Sequence, residues 1–147
     1  SLARLLDIQG LNHEAAKDAF IRHGKIKPVF LKDLAVFVQE RMGLSGVRIA
    51  GNPDKVIRYL GIVGGSGGRE SDIELALALG LDCYITSEIR LSAAQKAVEE
   101  GLALIEVNHG VEKFVFVGLA EELKEEFALA GRIRISEVET DPFVTLK

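Results

Sequence analysis

Three short, nearly continuous apolar runs, at 55–63, 82–85 and 102–107, alternate with two segments whose apolar residues recur at helical spacing. No other pattern in the chain restricts its fold as strongly. The runs are too short for helices and read as strands, those at 82–85 and 102–107 as buried ones. Strands alternating with helical segments build βαβ units, and the expectation is an α/β fold: a mainly parallel or mixed sheet with helices on its faces.

The remaining elements follow from the same periodicities. Residues 2–8 and 14–22 have helical spacing, and 25–30 is extended, with Pro28 confining it to a sheet edge or strand end. Residues 31–42 form an amphipathic helix stopped by Gly43 and Gly46, 47–50 is strand-like, and Asn52-Pro53-Asp54 is a turn. Helices are predicted at 70–79, 91–100 and from 109 to near 129, where Gly131 stops the last one; 133–138 then alternates as a final strand. No linker, repeat or low-complexity tract divides the chain, so it reads as a single α/β domain over 1–147 with its motif-bearing core at about 55–143.

Composition narrows the function classes. A net charge of −4 over 147 residues, with Lys and Arg scattered, gives no electrostatic footprint for nucleic acid. No apolar run approaches the roughly 20 residues that span a bilayer, so no membrane segment is expected. Cys83 is the sole cysteine and cannot form an internal disulfide, which fits a reducing, cytoplasmic setting. The chain opens at Ser1 without a signal-like stretch, and a trimmed start is expected.

Candidate chemistry gathers where the three predicted strands end, which is where open α/β sheets place ligands. Gly64-Gly65-Ser66-Gly67-Gly68 follows the first. Its backbone is accessible enough to cradle an anion, yet Glu70 stands where a dinucleotide fingerprint needs its third glycine and no Walker lysine follows, so a tight strand-to-helix turn is the competing reading. Thr86-Ser87-Glu88 follows the second strand; it offers hydroxyls and a carboxylate to a ligand, or an N-cap to the next helix. Asn108-His109-Gly110-Val111-Glu112 follows the third. His109 and Glu112 are spaced to face one divalent ion or two adjacent ones, whereas Glu112 alone would also serve a capping box. His13 and His23 lack spaced partners and are expected at the solvated surface, as is the acidic run Glu121-Glu122 and Glu125-Glu126.

Taken together, Val63-Gly64-Gly65-Ser66-Gly67-Gly68, Asp82-Cys83-Tyr84-Ile85-Thr86-Ser87-Glu88, Asn108-His109-Gly110-Val111-Glu112-Lys113 and Asp141-Pro142-Phe143 resemble, in order and spacing, the type 2 GTP cyclohydrolase I family, also called Nif-three-like. The resemblance covers nearly the whole chain and is specific from about Ile62 onward. It implies a dinuclear metal site in an α/β fold, assembled as a homohexameric ring. His109 and Glu112 match the family's carboxy-terminal metal ligands. Glu88 aligns with its acidic position, although Ser87 replaces the usual glycine and Leu91-Ser92 replace a common Tyr-His pair. The family's other ligands lie in an amino-terminal half with a His-His-Pro motif and a later aspartate, neither of which this chain contains. The chain is therefore read as the carboxy-terminal portion of a longer protein, with an incomplete site and little metal affinity or activity of its own.

For the intact protein the resemblance implies two divalent ions and hydrolysis of GTP or a related purine nucleotide. His109 and Glu112 would be ligands and Glu88 a proton-transfer group, with Gly64, Gly65, Ser66, Gly67, Gly68 and Thr86 lining the ligand. Imidazole with carboxylate suits zinc, iron, manganese and cobalt alike. The alternatives are a non-enzymatic metal-binding scaffold or regulatory protein, and a nucleotide-binding domain that uses the glycine loop without metal.

Overall fold

The computed structural model describes residues 2–10, 20–127, 132–136, 138 and 142. The elements run α1 (Leu2–Leu5), β1 (Arg22–Phe30), α2 (Leu31–Arg41), β2 (Arg48–Ala50), β3 (Val56–Ile62), α3 (Glu70–Ala78), β4 (Cys83–Thr86), α4 (Leu91–Glu99) and β5 (Ala103–Glu106), then a 3-10 turn (His109–Glu112) and α5 (Lys113–Glu126). The strands form one five-stranded sheet in the order β1-β3-β4-β5-β2. Its centre is parallel, β3 to β4 to β5, and both edge strands are antiparallel to their neighbours. The sheet is mixed, as the α/β reading allowed.

Alternation along the central strands sorts the core into two layers, because successive side chains of a strand point to opposite faces. Cys83 and Ile85 of β4, with Ala103 and Ile105 of β5, pack with Leu31, Leu34, Ala35 and Val38 of α2. Tyr84 and Leu104 face the other way, onto Ile73 and Ala76 of α3 and Ala93 and Ala97 of α4. All four residues of β4 are buried, which is why that stretch reads as apolar without a polar phase. Burial also pushes the Cys83 thiol up, so it packs as a small apolar side chain.

Several expectations are corrected. Helix α1 stops at Leu5, and Asp7 takes a positive φ of 54°, a conformation that ends a helix. Residues 14–19 of the second predicted helix, and His13, lie outside the described residues, but Arg22 opens β1 rather than closing a helix. Pro28 sits on this edge strand where its register with β3 shifts, between Lys25 and Val29, so its missing N–H breaks no regular ladder. His23 is buried, not solvated: its Nδ1 lies 2.7 Å from the Tyr59 hydroxyl, a partner 36 residues away that no local pattern shows. The acidic residues of α5 are exposed as expected.

At the carboxyl end, residues 133–136 and 138 are not a strand. Ile133, Arg134, Ile135 and Ser136 all border a cleft beside α5 instead of pairing with a sheet edge, so the apolar–polar alternation does not sort them onto separate faces. The last helix is tightened into the 3-10 turn before α5 begins. Among the described residues no helix is long and apolar enough to cross a membrane.

Candidate metal site

The register of β3, β4 and β5 brings their carboxyl ends level, with Ile62 opposite Ile85 and Thr86 opposite Glu106. The ladder extends one step further, through Val63 N–H to Ile85 O at 3.0 Å and Val107 N–H to Thr86 O at 3.0 Å. The three connecting loops therefore leave the sheet side by side.

Strand β4 ties down the glycine loop from below. The Thr86 hydroxyl, fully buried, donates to Gly65 O at 3.2 Å and accepts from Gly67 N–H at 3.1 Å. Tyr84 donates its hydroxyl to Gly67 O at 3.0 Å, and burial pushes that phenol up to about 12, which keeps it a donor. Ser87 N–H adds a bond to Gly65 O at 3.1 Å. Thr86 is thus an anchor beneath the loop and does not line a crevice, and neither Thr86 nor Ser87 caps α4, whose N-cap is Arg90 without a side-chain bond. Ser87 instead donates its hydroxyl to Asn108 O at 3.1 Å, joining the second and third loops.

The arrangement also separates the two readings of the glycine loop. Gly65 O and Gly67 O accept from β4, Gly67 N–H is engaged by the Thr86 hydroxyl, and the start of α3 is occupied by Asp72, whose carboxylate accepts from Arg69 N–H at 3.0 Å. A carboxylate there repels an anion, so the tight-turn reading accounts for this segment. What the loop does is support the third one. Gly65 has φ +74°, and a Cβ on it would collide with the Glu112 carboxylate and sit 3.4 Å from His109 Nε2. Only glycine lets the backbone pass so close beneath both side chains.

His109 and Glu112 open and close the 3-10 turn, where residues three apart eclipse one another. Their side chains converge: His109 Nε2 and Glu112 Oε2 are 3.3 Å apart. Glu112 makes no capping bond to the helix start, so the capping-box alternative does not hold. The other ring nitrogen, Nδ1, lies 2.7 Å from Glu88 Oε1. The hydrogen bond to Glu88, reinforced by the negative charges of Glu112 and Glu88, raises the imidazole above its ordinary value.

Glu88 itself has a positive φ of 56°, unusual for a residue with a side chain. The conformation is held from several sides. Ile89 N–H donates to Glu106 Oε1 at 2.9 Å, Arg90 N–H donates to Gly68 O at 3.1 Å, and a Cβ on Gly68 would come within 2.5 Å of Ile89 Cα. Glu106 is in turn paired with Arg48 across the β2–β5 register, Arg48 Nε lying 2.5 Å from Glu106 Oε2. Sequence reasoning passed over Arg48 and Glu106; the only signal was opposite charge, visible once the two strands are known to pair.

In kind and spacing the pair fits a divalent cation. Nitrogen and oxygen donors 3.3 Å apart can both reach one ion at the roughly 2.0–2.2 Å bond lengths of zinc with a near-tetrahedral angle. In number it supplies two donors. Among the described residues no group of three or more His, Cys, Asp or Glu side chains is arranged to hold a metal ion. Glu88, His109 and Glu112 also border an open cleft of about 1350 Å³, whose walls include Arg48, Phe116 and Leu119.

Fold and site together define a mixed α/β protein with a histidine–carboxylate pair at the carboxyl end of a short parallel sheet. The chain belongs to the Duf34/NIF3 (NGG1p interacting factor 3) family, whose profile matches residues 1–142. It is 28% identical over 144 residues to a GTP cyclohydrolase 1 type 2 homolog of Bacillus subtilis, covering 95% of this chain and 38% of that protein. A protein of the same name from Mycobacterium leprae is 32% identical over 101 residues, 67% of this chain and 26% of the relative. The crystal structure of a Bacillus cereus protein related to NIF3 superimposes with a TM-score of 0.79 at 27% identity, over 86% of this chain and 36% of that one. The chain thus spans well under half the length of these relatives.

Proposed function

We propose that this chain supplies two ligands, His109 and Glu112, to a divalent-metal site, and that the whole protein uses two such ions to hydrolyse GTP or a related purine nucleotide. The observation that carries this reading is the convergence of His109 Nε2 and Glu112 Oε2 to 3.3 Å above Gly65. The names of the relatives support the substrate class. When bound, divalent metal supplies Lewis acidity that activates water and polarises the substrate.

The chain's own residues perform the remaining tasks. His109 offers its Nε2 lone pair only when neutral, so loading is favoured as pH rises through its titration. Glu112 adds a negative charge that favours the cation, and Gly65 keeps the floor of the site free of side chain. The cleft alongside is wide enough for a nucleotide, with Arg48 on its wall as a cation for phosphate.

The test is formate release from GTP by the full-length protein with added zinc, iron, manganese or cobalt, beside its His109→Ala variant. Turnover lost together with bound metal supports a hydrolase. Metal lost together with assembly, and no turnover in either protein, supports a scaffold instead. One observation favours assembly: Val115, Phe116 and Leu119 of α5 are all about half exposed, an apolar face that a second copy in a homo-oligomeric ring would cover.

A further inference from the structure

We infer that Glu88 is a positioning residue: its carboxylate accepts the Nδ1–H of His109, fixing the tautomer that leaves the Nε2 lone pair directed toward Glu112 and the floor at Gly65. The inference rests on the metal reading above and assigns Glu88 a role other than proton transfer. A neutral imidazole carries one N–H and one lone pair, so the group bonded at one nitrogen decides what the other can do. Here the contact is 2.7 Å at Nδ1 and the looser 3.3 Å approach is at Nε2. Histidines that bind metals commonly donate their second nitrogen to a carboxylate in this way, which sets ring orientation and strengthens the donor.

The backbone at residue 88 supplies an independent argument. A side-chain-bearing residue at φ +56° is disfavoured sterically, and such positions persist where surrounding bonds enforce them. Those bonds are present on both sides, from Glu106 to Ile89 N–H and from Gly68 O to Arg90 N–H. The pair Arg48–Glu106 and the close approach of Gly68 therefore aim the Glu88 side chain at His109. Nothing in the turn requires a carboxylate at this position for folding; asparagine or glycine would adopt the same φ with less strain.

Long-range proton–nitrogen correlation of the metal-free chain, recorded above the end of the His109 transition followed on the same signals, reads the tautomer directly. The expected result is His109 protonated at Nδ1. Glu88→Gln keeps an oxygen acceptor and retains that tautomer, whereas Glu88→Asn tolerates the backbone but withdraws the acceptor, and the ring reverts to the Nε2–H form favoured by free imidazole. Zinc titration followed on the same signals should weaken by about 10–100-fold in Glu88→Asn and less in Glu88→Gln. An Nε2–H tautomer in the unaltered chain, or a tautomer unchanged in Glu88→Asn, overturns the inference. Zinc that leaves the His109 signals unmoved in every variant counts against the metal reading, while the tautomer still decides the role of Glu88.

Discussion

Arg48 and Glu106 face each other across the β2–β5 register, yet the two ends of this pair differ in surroundings: the arginine side chain is 79% exposed and the glutamate 15%. The glutamate also holds Ile89 N–H, so the two residues are not equivalent to lose. Glu106→Ala strands a part-buried amide and should lower unfolding free energy by about 1–3 kcal/mol. Arg48→Ala removes a mostly exposed ion pair and should cost under about 1 kcal/mol. Urea denaturation of both variants checks the ranking, and equal losses would refute the view that Glu106 acts chiefly through the turn at Glu88.

Gly65→Ala combines two penalties. Its φ of +74° disfavours any Cβ by about 1–2 kcal/mol, and that Cβ would displace the Glu112 carboxylate. The variant should be less stable and should lose the zinc response of His109 in the same titration.

The two described histidines should give opposite pH dependences. Burial lowers the His23 pKa, so the unfolded chain takes up protons first and stability falls as pH drops below about 6.5 through the folded-state value. His109 is raised by Glu88, so its small contribution is present below about 6.5 and fades as pH rises through its folded value. Urea midpoints between about pH 7.5 and 5 should fall less steeply in His23→Gln than in the unaltered chain. In His109→Gln they should fall more steeply.

Metal binding by this 147-residue chain should be weak, because two donors fall short of the three protein ligands of a typical catalytic zinc site. Zinc titration should saturate poorly, and both His109→Ala and Glu112→Ala should abolish the specific shifts. Tight stoichiometric binding would contradict the assignment of only two ligands.

The central strands and the helices between them were legible because their signal is local. A strand buried on both faces has no polar phase, and the apolar stripes of α2 and α4 repeat at helical spacing, so residues 83–86 and 91–99 were placed almost to the residue. The motif that pairs His109 with Glu112 was legible for the same reason. What was lost depends on partners distant in sequence. Thr86 and Ser87 looked like caps because their true acceptors, Gly65 O and Asn108 O, are each 21 residues away. His23 looked solvated because Tyr59 lies on the neighbouring strand. The alternation at 133–138 predicted a strand, but 133–136 and 138 border a cleft, apolar and polar side chains alike, and periodicity does not say what a segment will meet.

Because Ser87 is bonded to Asn108 and Gly68 presses against Ile89, the loops that carry Glu88 and His109 brace one another before any ion arrives. On the proposed metal reading, the ordering entropy of gathering the two ligands is met when the chain folds, and dehydration of the ion is the main remaining cost. Loaded and empty forms should then superimpose closely at these loops, with the difference between them residing in bound water.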